Sequence, residues 1–463
     1  MASIFERGVQ QVRKIRTAAF AFVVAVAAAM GSQPSAGAEE VTPTTITTAP
    51  RVVDADHPVS KIGDRVPIAS LQRRQPHSKP VLATLAQHGD AKTQGGDDSY
   101  QTGSGGQNTD RPVGSSISDY DPINDCRAAL GGQAGSKVVN RFQYCSVKKW
   151  SYSEVVVPGG EVVGTVSYVQ TTAGQAPQDR REIYYQVNLG FWDIKGTVDD
   201  NATLEVTGIS SGYNGTDGSN QACGVINSAS NAKSLGAWRA NGNAVASIVF
   251  DQDKSLGYGR DFVSRCGVAT TTCVGSYCGE FTDASTSIRF DSASYLEGVG
   301  GGVFDATTPT LFYEYDSPAH GAVTDHIHTA YGSPDVTDPK ITGKSVPGWG
   351  GRPLTRLYEG WNESAKRARA RNEAAKNAAC TPIKPANSAG LDCDEFPFGS
   401  TFQGAGFSRH FSVRYLSLSQ NRSAGGTLAG FYKKERILHQ GSFTVMLWWK
   451  GPGAPPDPYK PRP

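Results

Sequence analysis

The sequence predicts a multidomain chain in which a β-rich, sandwich-like N-terminal domain is followed by a small α+β domain. Two observations carry that prediction. Between residues 120 and 302 the apolar residues fall in short β-branched and aromatic runs, punctuated by Gly, Asn and Asp turns and without a convincing helix. Beyond 305 strand-like and helix-like runs mix, and the charge changes sign: residues 341–463 hold 18 Lys plus Arg against 8 Asp plus Glu, whereas the whole chain is only +2.

The N-terminus carries Arg7, Arg13, Lys14 and Arg16, then the apolar run "TAAFAFVVAVAAAM" (17–30), then small residues ending in Ala36-Gly37-Ala38. This is the pattern of a secretory signal peptide occupying 1–38, and its apolar run is short for a retained anchor. No later stretch approaches the roughly 18 apolar residues of a membrane span, so a secreted, extracellular protein is expected. Residues 39–118 are rich in Thr, Pro, Gly, Ser, Gln and Asp and poor in aromatics. Such a segment cannot bury enough apolar area to fold and reads as a low-complexity linker or propeptide. The tail "GPGAPPDPYKPRP" (451–463) reads as Pro-rich and disordered.

In the β-rich domain, 119–305, the strand candidates are "EVVVPGGEVVGTVSYVQTT", "REIYYQVNLGFWDI", "ATLEVTGIS", "AVASIVFD" and "STSIRFDSASYLEGVG". Nothing there gathers into a catalytic constellation. Exposed Tyr and Trp could bind a cell-wall or glycan ligand, but aromatic side chains of a core are the better explanation. Export also decides how the eight cysteines are read, because an oxidising compartment favours disulfides. The economical pairs are local: Cys126 with Cys145, Cys223 with Cys266, Cys273 with Cys278, and Cys380 with Cys393. Zinc at Cys273 and Cys278 is the alternative, although no second pair of ligands follows at a zinc spacing.

The α+β domain spans 306–450. "TPTLFYEY" (308–315), "FSVRYLSLS" (411–419) and "SFTVMLWW" (442–449) read as strands. "PAHGAVTDHIHTAYG" (318–332) reads as a short helix closed by Gly332, and "LTRLYEGWNESAKRARARNEAAKNAA" (354–379) as a longer, charged one. "NRSAGGTLAGFYKKERIL" (421–438) is a third helix with Asn421 as its N-cap, weakened by Gly425 and Gly426. The basic surplus suits a polyanion, either extracellular nucleic acid or an anionic wall polymer.

The stretch "LDCDEFPFGS" (391–400) sets Asp392, Asp394 and Glu395 against Phe396, Pro397 and Phe398. Clustered carboxylates beside apolar groups call for a cation or a proton. Asp394 and Glu395 diverge in extended backbone, so each can do a separate job at one site. Phosphodiester hydrolysis needs two such jobs, a base for water and a divalent cation for the phosphoryl charge. Asn421 supplies a hard oxygen suited to Mg²⁺ or Mn²⁺, and the guanidinium forks of Arg414 and Arg422 fit phosphate oxygens. Each residue alone has a plainer role, as cap or solvated charge; the set carries the argument.

"DCDEFPFGSTFQGA" followed by "FSVRYLSLSQNRSAGGTLAGFY" resembles the signature of the NucA/NucB family of secreted bacterial deoxyribonucleases. "YDSPAHGAVTDHIHTAYG" and "AKRARARNEA" are more loosely similar to its strand and His-Ile helix and to its basic helix, so the likeness runs over about 308–449. The resemblance implies a metal-dependent endonuclease that cuts DNA with little sequence specificity, built on a site similar to that of the ββα-metal endonucleases. It implies Asp394 as general base, Glu395 as a second catalytic carboxylate, Glu395 and Asn421 at the metal, and Arg414 and Arg422 on phosphate. His326 matches the His-Ile helix, where a packed or hydrogen-bonded role is the plainer one. The chain departs from the family in having "LHQGSF" (438–443) where relatives carry an Asp-Gly-Asp-Pro-Phe-like turn, which His439 could partly replace. A disulfide between Cys380 and Cys393 would pin the loop before Asp394. The competing reading is a non-catalytic exported surface or wall protein that only docks to polyanions. Such a binder gains nothing from two carboxylates inside its basic surface.

Overall fold

The computed structural model describes residues 44–47, 51–52, 122–157, 160–178, 180–212, 223–241, 244–252, 263–275, 277–278, 284–296 and 300–448. The expected signal peptide, nearly all of the linker and the Pro-rich tail lie outside them.

The β-rich part consists of two antiparallel sheets sharing one apolar core. In one, the strands lie in the order Gln143–Val157, Glu161–Gln175, Glu182–Gly196, Val245–Asp251, Gly224–Asn227; in the other, Gly301–Phe304, Ala284–Asp291, Val263–Val274, Thr203–Gly212, Ala232–Ser234. Period-two burial explains the pairing of faces. Ile183, Tyr185, Val187 and Leu189 alternate inward from one sheet, and Leu204 and Val206 do so from the other. The Tyr and Trp residues go mainly to this core: Tyr144, Trp150, Tyr152, Tyr168, Tyr185 and Trp238 are all buried. At Gly208 a Cβ would press on Ile248, Val225 and Phe250, so glycine lets the sheets approach.

Two short helices correct the expectation of a helix-free domain. Pro122–Ala129 is tied by Cys126–Cys145 to the strand at 143–157. Leu235–Ala240 is capped by Ser234, whose Oγ accepts from the Ala237 N–H at 3.2 Å, and it buries Trp238. Neither is long enough to show a 3.6-residue period. Cys223–Cys266 links the two sheets. Cys273 is disulfide-bonded and stands opposite Cys278 in the ladder, the side chain of Cys278 lying outside the described residues.

In the C-terminal part the elements are β1 (Thr310–Glu314), α1 (Gly321–Gly332), β2 (Leu354–Thr355), α2 (Glu363–Cys380), β3 (Leu391–Phe396), β4 (Ser412–Ser417), α3 (Leu418–Lys434) and β5 (Ser442–Trp448). β5 is central, parallel to β1 and antiparallel to β2, while β3 and β4 form a separate antiparallel ribbon. Leu311, Val445 and Leu447 pack with Val323 and Ile327 of α1 and Leu428 of α3. α2 begins later than the charged run suggests, because Asn362 caps it by accepting from the Ala365 N–H at 2.8 Å. α3 begins earlier: Ser417 occupies the N-cap position and Asn421 lies inside the first turn, correcting its expected role as cap. Gly425 and Gly426 sit within α3, which tertiary packing of Ala424, Leu428, Phe431 and Tyr432 holds together.

The segment after α3 is seated on the β-rich part. Arg436, fully buried, donates from Nε and Nη2 to Asp291 at 3.2 and 2.5 Å and from Nη1 to the Gln178 carbonyl at 3.0 Å. Arg289 donates to both Asp291 and the Arg436 carbonyl. Leu438 packs with Val263, Ala293 and Leu296, and the His439 N–H donates to the Tyr295 hydroxyl at 3.1 Å. No helix among the described residues is long and apolar enough to cross a membrane.

Candidate active site

Strand alternation on the β3–β4 ribbon sorts the acidic stretch onto two faces. Asp392 and Asp394 point one way, Cys393 and Glu395 the other. Asp394 stands opposite Arg414 in the ladder and is 8% exposed. One of its oxygens, Oδ2, lies 2.7 Å from Nδ1 of His326 on α1, and Nε2 of the same ring lies 2.8 Å from Oγ of Ser412. Asp392 accepts from Asn421 Nδ2 at 3.1 Å through Oδ2 and from the Cys393 N–H at 2.9 Å through Oδ1. Both Arg414 and Arg422 are exposed. One face of the ribbon thus brings together Asp392, Asp394, His326 and Asn421.

Glu395 belongs to the other face, toward α2. Its Oε1 accepts from the Gly399 N–H at 2.9 Å, and its Oε2 lies 3.6 Å from Lys376 Nζ. Burial pushes its carboxyl up to about 7, against the downward pull of Lys376 and Arg369. A Cβ at Gly399 would meet the ends of the Arg369 and Glu395 side chains, so a larger residue here would have to displace them. Glu395 and Asn421, expected together at a metal, are placed apart in this structure: Glu395 turns toward Lys376 and Asn421 toward Asp392. A carboxyl raised in the folded state is protonated there while it is ionised in the unfolded chain. Stability should therefore fall as pH rises from the ordinary glutamate value of about 4.3 toward 7. Glu395→Gln should flatten that slope in Tm measured against pH; an unchanged slope would show that another group sets it.

Cys380–Cys393 joins the last residue of α2 to the residue between the two aspartates, with Cα atoms 6.2 Å apart. Reduction removes this covalent tie between β3 and α2, and any catalytic activity of the ribbon should fall severalfold in reductant. Full activity of the fully reduced protein would remove that role for the bridge. His439 is packed rather than acidic-site-like: its Nδ1 accepts from the Tyr358 N–H at 3.1 Å, its ring stacks on Trp361, and burial holds its pKa down.

Sequence reasoning gave Asp392 no task and left Ser412 unnoticed. The spacing of Asp392 and Asp394 could have signalled a shared face; nothing local could have linked Ser412 to a histidine 86 residues away. The oxygens of Asp392, Asp394 and Asn421 are hard donors on one face. Among the described residues no group of three or more His, Cys, Asp or Glu is gathered around one point. Carboxylate and amide oxygens are the ligand types that a hard divalent cation takes.

Residues 350–446 match the model of a family described as Deoxyribonuclease NucA/NucB. No curated protein and no solved structure matches the chain. The matched span contains Asp392, Asp394, Glu395, Arg414, Asn421 and Arg422, and leaves α1 and the β-rich part outside. Residues 350–446, which hold the β3–β4 ribbon, α2 and α3, are therefore the part of the chain that is similar to the NucA/NucB deoxyribonucleases.

Proposed function

We propose that the protein is an exported, divalent-cation-dependent endonuclease that hydrolyses DNA phosphodiester bonds with little sequence specificity. The observation that carries this reading is Asp394 opposite exposed Arg414, beside the Asp392–Asn421 pair, on a basic domain. β3, β4 and α3 follow one another as ribbon and helix, and we read them as the ββα-metal-like element of the fold. Asp394 acts as general base, taking the proton of the attacking water. Asn421 and Asp392 supply oxygens for Mg²⁺ or Mn²⁺, which when bound offsets the charge gathering on the phosphoryl oxygens. Arg414 and Arg422 hold the phosphate. Glu395 orders the turn after β3 from the opposite face.

Lys and Arg contacts to the backbone make DNA binding salt-sensitive and nearly blind to sequence. The experiment is plasmid nicking with Mg²⁺ or Mn²⁺ and with EDTA. Nicking that requires the cation is expected. No cleavage under either cation, with salt-sensitive DNA binding intact, would favour the polyanion-binding alternative.

A further inference from the structure

Ser412 Oγ, the imidazole of His326 and Asp394 Oδ2 form one hydrogen-bonded row, with contacts of 2.8 and 2.7 Å. Serine to Nε2 and Nδ1 to aspartate is the connectivity of a serine-hydrolase triad. Access to solvent runs the opposite way. Ser412 is 0% exposed and His326 1%, whereas the Asp394 side chain is 10% exposed. A fully buried hydroxyl cannot meet a substrate, so Ser412 is no nucleophile, and only the carboxylate end of the row can reach one.

We propose that this row works in reverse, with Ser412 and His326 as positioning residues that aim Asp394 at water. The inference rests on reading Asp394 as the general base. Ser412 donates its O–H to Nε2, which places the ring proton on Nδ1, and Nδ1–H donates to Oδ2 of Asp394. The other tautomer would set the Nδ1 lone pair against a carboxylate lone pair, so the carboxylate selects this form and the serine hydroxyl supports it by donating to Nε2. Held by Oδ2, the carboxylate keeps Oδ1 for the water proton. The ring is delivered by α1, where Ile327 and Val323 are locked in the apolar core, and Ser412 is delivered by β4, the strand paired with β3. Three rigid elements thus fix one carboxylate, and a base already oriented avoids the loss that misplacement brings.

Two substitutions at one position separate aiming from packing. In His326→Asn the amide nitrogen lies near the Nδ1 position and can still donate to Asp394. In His326→Gln the amide lies near the Nε2 position and can reach Ser412 but not Asp394. Steady-state cleavage of plasmid DNA in Mg²⁺, with Tm for each variant, is the measurement. His326→Gln should lower kcat about a hundredfold and His326→Asn about tenfold or less, with KM for DNA within about twofold and equal losses in Tm. Equal kcat in the two variants, or losses that track Tm, would reduce His326 to a packing residue. Ser412→Ala is the mildest change and decides the matter if the histidine variants fail to fold. A severalfold fall in kcat at unchanged KM supports the row, and wild-type kcat overturns it. Wild-type protein that cuts no DNA would instead remove the functional reading on which the row depends.

Discussion

Asp394→Ala should lose DNA cleavage by about 10²- to 10⁴-fold, the contribution of a positioned general base, while salt-sensitive DNA binding stays close to wild type in the folded variant. The binding should survive because the phosphate contacts assigned to Arg414 and Arg422 are separate, exposed side chains. Stability should fall by about 1–3 kcal/mol, because the loss of Asp394 leaves the buried Nδ1 of His326 without its carboxylate partner while Nε2 stays bonded to Ser412. Asn421→Ala tests the other half of the site. It removes the amide that Asp392 accepts from and an oxygen placed for the cation, so it should raise the Mg²⁺ concentration needed for half-maximal nicking. Rates of plasmid nicking across a Mg²⁺ titration read both effects. An Asp394→Ala enzyme that cuts at near wild-type rate would place the base elsewhere.

Arg436→Ala should cost about 3 kcal/mol of stability, because it takes from a buried carboxylate one of its two guanidinium partners and leaves it with Arg289 alone. Asp291 is 0% exposed, and Arg436 reaches it with two nitrogens. Burial works against the Asp291 charge, but Arg289 and Arg436 outweigh it and hold its carboxyl below the ordinary range. A depressed carboxyl contributes stability that is present above its unfolded value, about 3.9, and is lost as pH falls through the folded one. The variant should therefore melt about 10 °C lower near neutral pH, with a smaller difference in strong acid. Arg436→Lys should not restore it, since an ammonium cannot reproduce the two-nitrogen fork. Melting within a degree of wild type would show that Arg289 alone compensates the Asp291 charge. Leu438 and the His439 backbone are occupied by the β-rich part, with Val263, Leu296 and Tyr295 as their neighbours.

Local pattern made much of the chain legible before any fold was known. The alternation of Ile183, Tyr185, Val187 and Leu189 announces a half-buried strand because side chains on extended backbone switch sides at every residue. The short loops of Cys126–Cys145 and Cys380–Cys393 made those partners readable from spacing. Asp394 and Glu395 could be expected to diverge. What the sequence by itself determined were these short-range matters: strand character, neighbouring cysteine partners, a basic C-terminal domain and an acidic stretch able to serve chemistry.

Which neighbours each face would meet was decided only by the packing of α1 and α3 on one side of the ribbon and α2 on the other. That packing gives Asp394 a histidine 68 residues away, gives Glu395 a lysine and a glycine turn, and turns Asn421 from a helix cap into the partner of Asp392. It also pairs Arg436 with an aspartate 145 residues away. Periodicity records which way a side chain points, and carries no record of what another segment brings against it. The base, its supports and the seat of the β-rich part are therefore properties of the tertiary structure, since each joins residues whose separation in the chain leaves no local trace.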